Sequence, residues 1–171
     1  MNSRMGTELH WVDGPWPGRL ALAARPRGGE WLEDEIANWR HNGVNTVFSL
    51  LTAEEEHDLD IDKESAEVRA HGMNFLNFPI LDRQVPASEK DLEKALGKLD
   101  RELKAGRNVV LHCRQGIGRT GLVAACLLLT KGIGPDTAVQ QLTAARGLEI
   151  PETPEQRRWI DHYAESFASH G

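Results

Sequence analysis

The chain has 171 residues, two cysteines and a formal net charge of −6. Its length suits one domain with a sizeable core, taken as residues 1–171. The acidic balance argues against a face for a nucleic-acid backbone, and no segment reaches a transmembrane length or forms the apolar core of a signal peptide.

In chain order, Leu9–Val12 reads as a short first strand, Arg19–Ala24 as a second and Val44–Leu51 as a buried third. Leu50-Leu51-Thr52-Ala53-Glu54-Glu55 continues into an acidic stretch that fits a helix start after Thr52. Met73–Phe78 reads as another strand. Beyond it, Pro79 and Pro86 fence a polar loop containing Asp82-Arg83-Gln84. Ser88 opens a helix, with Asp91 three residues on and Leu92, Leu96, Leu99 and Leu103 as its apolar stripe, and Gly106 stops it. Asn108-Val109-Val110-Leu111 is the next strand, and the apolar run Leu122–Leu129 is a buried helix. Pro135 starts a helix through Ala145, with Val139 and Leu142 facing inward. Thr153-Pro154-Glu155-Gln156 is a capping box opening a last helix, whose buried face is Trp159, Ile160, Tyr163 and Phe167. Alternating strands and helices of these lengths indicate an α/β fold.

Between strand and helix lies His112-Cys113-Arg114-Gln115-Gly116-Ile117-Gly118-Arg119-Thr120-Gly121. A strand that gives way to a helix aims unpaired backbone N–H groups at one point, and the helix dipole adds positive charge there. Gly116 and Gly118 let the backbone curl around a tetrahedral anion, and Arg119 offers two parallel donors to its oxygens. Cys113 shares this positive field, which favours the thiolate at neutral pH over the free thiol, whose pKa is about 8.5. A thiolate facing a bound phosphate is poised for in-line attack. The Thr120 hydroxyl is placed to hydrogen-bond the sulfur, and His112 to brace the loop through backbone contacts. A lone cysteine is more often a small buried apolar residue. The electropositive loop decides for the reactive reading at Cys113, whereas Cys126, inside the apolar helix, reads as packing.

Gly116, Gly118 and Gly121 also spell a dinucleotide fingerprint, with Asp136 twenty residues past Gly116. Three residues separate the strand from the first glycine, and Asp136 opens a helix rather than ending a strand. Too little chain follows for the rest of a doubly wound domain.

Asp82 has its own case. The leaving oxygen of a phosphate ester needs a proton, and a carboxyl group on a loop supplies it. A single helix separates this loop from the cysteine strand, which allows both to reach the same edge of the sheet. The competing reading is a solvated turn carboxylate.

His-Cys-x5-Arg-Thr-Gly resembles the signature of the cysteine-dependent protein tyrosine phosphatase superfamily. The short chain and Phe78-Pro79-Ile80-Leu81-Asp82 resemble its dual-specificity branch, including kinase-associated phosphatase-like bacterial members. The resemblance spans roughly residues 9–165, and its specific parts are the loop and the Asp82 segment. It implies a short, mostly parallel central sheet of about five strands flanked by helices. It also implies a phosphocysteine intermediate, no metal or other cofactor, and a mobile loop carrying the general acid. Cys113 is then the nucleophile, Arg119 the phosphate clamp, Thr120 a helper, and Asp82 the acid and later base. Arg114, Gln115, Gly116, Ile117 and Gly118 join Arg119 in binding phosphate, with His112 in support. Related enzymes often hold the loop arginine with a glutamate, a role open to Glu55 beside its reading as a helix start. A glutamine that positions water in some members has a counterpart in Gln156, left to capping.

The resemblance implies a phosphorylated protein or small phosphomonoester as partner. Lack of long insertions favours dual specificity over phosphotyrosine alone. Inositol phosphates stay open, with Arg114 as one extra cation. So does a non-catalytic phosphoprotein-binding module, and a sulfur-transfer enzyme or RNA 5′-triphosphatase fits less well. A monomer in the cytoplasm, touching neither nucleic acid nor membrane, is expected; a free thiolate suits a reducing compartment.

Overall fold

The computed structural model describes residues 6–169 along the backbone and 6–166 in side chains. Phe167, expected on the buried face of the last helix, lies outside the described side chains. The elements run β1 (His10–Val12), β2 (Leu20–Ala23), α1 (Leu32–His41), β3 (Thr46–Ser49), α2 (Ala53–Asp58), α3 (Glu64–Ala70) and β4 (Asn74–Asn77). They continue with α4 (Glu89–Lys104), β5 (Val109–His112), α5 (Gly118–Leu129), α6 (Pro135–Arg146) and α7 (Pro154–Ser169). The five strands form one sheet in the order β1-β2-β5-β3-β4. Only the β1–β2 pair is antiparallel.

β2, β3 and β5 are buried along their whole length. β2 and most of β5 are accordingly apolar, as expected of parallel strands covered on both faces, while β3 buries Thr46 and Ser49 at its two ends. Side chains alternate between two layers. Leu20, Leu22, Phe48, Val109 and Leu111 pack with α4, α5 and α7; Ala21, Ala23, Val47 and Val110 pack with Ile36 and Trp39 of α1 and Val68 of α3. Every residue of α5 is buried, which explains its lack of a polar face.

Register fixes the working edge. Ala23, Ser49 and His112 end their strands side by side, with Asn77 ending β4 next to Ser49. The Cys113 loop after β5 and the Asp82 loop after β4 therefore leave the same carboxyl edge of the sheet, where open α/β sheets place their ligands.

The expected strands are all present with shifted ends: four are shortened, and the strand before the cysteine loop starts one residue later and ends one residue later than expected, at His112. The cysteine helix starts four residues earlier than the apolar run indicates, at Gly118, so Arg119 and Thr120 sit in its first turn. Two helices had no counterpart in the sequence reading. α1 buries Leu32, Ile36 and Trp39 at helical spacing, and α3 buries only Glu64 and Val68.

Candidate active site

Residues 113–117 carry the chain from β5 into α5. Gly116 has φ +74°, and a Cβ there would sit 2.4 Å from the backbone oxygen of Ala23. Only glycine fits this turn. Its N–H donates to Cys113 Sγ at 3.3 Å, and Cys113 as a residue is 3% exposed. Arg146 of α6 holds the loop from behind. Its Nε donates to Gly116 O at 3.2 Å and its Nη2 to Gln115 O at 2.9 Å, keeping both carbonyls toward α6.

Arg119 is 2% exposed. Its Nη1 donates to Glu55 Oε1 at 2.7 Å and to Ile80 O at 2.8 Å; its Nη2 donates to Glu55 Oε2 at 2.9 Å and to Asp82 Oδ1 at 3.0 Å. Burial opposes the guanidinium charge, yet these acids and Cys113 hold its pKa above the ordinary arginine value. Glu55 fills both roles left open by its sequence. It forms the capping box of α2 with Thr52, each accepting the other's backbone N–H, and it also clamps Arg119. Burial pushes its carboxyl up, but Arg119, the Thr52 N–H and Arg114 together bring it below the usual glutamate range.

A hollow of about 180 Å³ opens over the thiol, lined by Asp82, Arg83, Cys113, Arg114, Gln115, Gly118, Arg119 and Glu152. Asp82 therefore reaches the cysteine loop, as its place after β4 allows. Arg114 lies at the mouth, with Nε 3.5 Å from Glu55 Oε2 and 3.9 Å from Asp82 Oδ2. The Ile117 side chain does not face this hollow: it packs on the core and lines a neighbouring groove of about 900 Å³. The Thr120 hydroxyl is buried and makes no hydrogen bond among the described residues; the contact on sulfur comes from the Gly116 N–H. His112 contacts the loop backbone, Nδ1 lying 3.3 Å from Cys113 O, and its Nε2 lies 2.6 Å from Glu64 Oε2. Cys126 is a free, fully buried thiol whose pKa burial pushes well up.

Sequence reasoning missed several supporting residues. Arg83 and Glu152 form an ion pair of 2.7 Å across the mouth. Gln156 makes the expected capping box with Thr153, but its Nε2 also donates to Gln84 O at 3.2 Å and so ties the Asp82 loop to α7. Glu64 and Arg146 each stand among several polar residues of their helices, and no local pattern in the sequence marks either one.

A buried thiol, a buried arginine and a loop carboxylate meet at the carboxyl edge of such a sheet, the arrangement of the dual-specificity class of tyrosine phosphatase-like proteins. Residues 21–133 match the sequence profile described as "Polymorphic toxin system, DSP-PTPase phosphatase", and the chain belongs to this family. It is 34% identical over 130 residues to cyclin-dependent kinase inhibitor 3 of Homo sapiens, covering 75% of this chain and 61% of that protein. It is 32% identical over 168 residues to the putative tyrosine phosphatase 197R of Invertebrate iridescent virus 6, covering 95% of this chain and 59% of that protein. The chain thus spans less than two thirds of either relative's length. Among solved structures, kinase associated phosphatase with its catalytic-site cysteine replaced by serine superposes with a TM-score of 0.86 at 22% identity, covering 96% of this chain and 98% of that one. PTPMT1 superposes with a TM-score of 0.76 at 19% identity, covering 95% and 98%. At these identities the two structures speak to the fold. Among the described residues, no helix is long and apolar enough to cross a membrane.

Proposed function

We propose that the chain is a single phosphatase domain that hydrolyses phosphomonoesters through a phosphocysteine intermediate. The observation that carries this reading is one pocket in which Cys113, Arg119 and Asp82 meet. The Cys113 thiolate attacks phosphorus in line, the bond to the leaving oxygen breaks, and Asp82 gives that oxygen its proton. Arg119 and the loop amides carry the charge on the equatorial oxygens. In the second step Asp82 takes a proton from water as the water attacks phosphorus, and the sulfur–phosphorus bond breaks. The buried Thr120 hydroxyl, which has no partner among the described residues, is available to donate to the departing sulfur.

The substrates are phosphotyrosine and phosphoserine or phosphothreonine in proteins, acted on by a cytoplasmic monomer. One observation favours a second reading. Arg83 and Arg114 both line the pocket mouth, giving two cations beyond Arg119, and such a rim also suits an inositol phosphate.

The test is phosphate release from para-nitrophenyl phosphate by wild type and Cys113→Ser in the presence of EDTA. Turnover by wild type alone supports the mechanism. No turnover by folded, reduced wild type moves the reading to a phosphoprotein-binding module. Equal turnover by both removes Cys113 as nucleophile.

A further inference from the structure

We infer that the groove beside the catalytic pocket selects phosphoproteins with an apolar residue next to the phosphorylated one and a lysine or arginine shortly beyond it. The inference rests on the phosphatase reading of Cys113 and narrows the substrate class of that site. The groove, of about 900 Å³, adjoins the hollow over the thiol, and Gln115 and Glu152 line both. Residues flanking a phosphoresidue seated on Cys113 thus have the groove as their adjoining space. Its floor is apolar: Val139 of α6 is 9% exposed and Ile150 2%, and Ile117 packs beside them. Leu148, 48% exposed, adds a wall open to solvent. Covering such a surface with an apolar side chain is favourable, at about 25 cal/mol per Å² removed from water.

Charge decides what lies beyond the apolar residue. Glu149, next to Leu148, is exposed and makes no ion pair or hydrogen bond among the described residues. Glu152 is taken by Arg83 at 2.7 Å. Arg157, the cation on the groove wall, is held by Asp136 and by Asp161, the latter at 3.2 Å. Four carboxylates thus meet two guanidiniums, and the carboxylate left over on the lining is Glu149. A lysine or arginine of the substrate complements it, whereas an acidic residue or a polyphosphate is repelled. The wall is also built in advance. In residues 147–153, between α6 and α7, the Ile150 N–H donates to Thr143 Oγ1 at 3.2 Å, and those of Glu152 and Thr153 donate to the buried Gln156 Oε1. A preformed wall spares a ligand the cost of ordering it.

The test uses phosphotyrosine peptides with leucine on each side of the phosphoresidue and either lysine or glutamate beyond, and a third with serine for leucine. Wild type should favour the leucine–lysine peptide over each of the others by about fivefold in kcat/KM. Glu149→Lys, a change on an exposed side chain, should reverse the order of lysine and glutamate while turnover of para-nitrophenyl phosphate stays the same. Leu148→Ser should shrink the advantage of leucine over serine. Equal rates on all three peptides, an order unchanged in Glu149→Lys, or faster turnover of an inositol phosphate than of any peptide overturns the inference. Failure of the phosphatase reading looks different, since para-nitrophenyl phosphate is then not hydrolysed at all. Fluorescence anisotropy of the labelled peptides on the same chain then decides: tighter binding of the lysine peptide, lost in Glu149→Lys, upholds the groove, and equal binding overturns it.

Discussion

Asp82 Oδ1 accepts a hydrogen bond from Arg119 Nη2 at 3.0 Å, and that bond completes the arginine's set of terminal partners. Glu55 and Ile80 take both protons of Nη1, and Glu55 and Asp82 take both of Nη2. Among the described residues, Nε–H is the guanidinium donor left without a partner. A phosphate gripped by Nε and Nη2 must therefore displace Asp82 from Nη2. Asp82→Ala is expected to bind inorganic phosphate or vanadate more tightly, while turnover of alkyl phosphates falls by about 10²–10⁴-fold. Aryl phosphates, whose leaving oxygen needs less help, should slow less. Weaker anion binding in the variant would rule out the competition, and equal slowing of both ester types would rule out Asp82 as the acid.

Glu55 joins two functions that separate substitutions can divide. Thr52→Ala removes the cap of α2 and leaves both oxygens of Glu55 on Arg119, so it should cost about 1 kcal/mol with little change in turnover. Glu55→Gln retains an oxygen for the Thr52 N–H but takes the countercharge from a buried guanidinium. It should cost about 3 kcal/mol and lower kcat/KM for aryl phosphates more than Thr52→Ala does. Urea unfolding and steady-state kinetics on the pair check this, and matching effects would reduce Glu55 to a helix cap.

These residues also show how far a sequence can be read. Cys113 and Arg119 were legible because their chemistry depends on local spacing: a strand, a glycine turn and a helix start lie within ten residues. Asp82 was legible because two prolines mark its loop and one helix sets its distance from the cysteine. Glu55 was half legible, since a cap and an ion pair ask for the same residue type. Glu64 and Arg146 were not legible, because each acts on the loop through tertiary contacts over long sequence separations. α1 and α3 were passed over for a related reason. α3 buries one apolar side chain, so its helical period barely registers in hydropathy. Gln156 was read correctly as a cap but incompletely, because its bond to Gln84 depends on where α7 packs.

Three ion-paired carboxylates and the buried His112 set opposite limbs of the stability–pH curve. Glu55, Asp100 and Glu102 have carboxyls below their ordinary values, because cations and hydrogen bonds outweigh burial. Their contribution is present above the unfolded carboxylate range, about pH 4–4.5, and is lost as pH falls through their folded values. His112 has the opposite sign: raised when folded, it contributes fully below about pH 6.5 and loses that contribution as pH rises through its folded value. Glu56, raised by burial and by Glu64, is the carboxylate here whose ionisation works against folding. Urea midpoints should therefore peak in mildly acid to neutral solution and fall on both sides. Glu64→Gln should flatten the alkaline fall, and Glu55→Gln should flatten the acid one. An alkaline limb identical in Glu64→Gln and wild type would show that His112 does not carry it.

Gln156 links the acid loop to the last helix, and its contribution to turnover can be separated from its cap. Its Oε1 accepts from the backbone N–H groups of Glu152 and Thr153 at 3.2 and 3.1 Å, and its Nε2 donates to Gln84 O at 3.2 Å. The side chain is fully buried, so these bonds are shielded from competing water. Thr153→Ala removes the reciprocal bond from the Gln156 N–H and leaves the tether to Gln84, costing about 1 kcal/mol. Gln156→Ala removes the tether as well and leaves the Gln84 carbonyl without its donor, two residues from Asp82. Both variants should lose stability, but Gln156→Ala alone should lower kcat for alkyl phosphates severalfold, with KM held. Aryl phosphates, which depend less on the acid, should change little. If the two variants show the same kcat for alkyl phosphates, the hydrogen bond from Gln156 to Gln84 stabilises the fold without positioning Asp82.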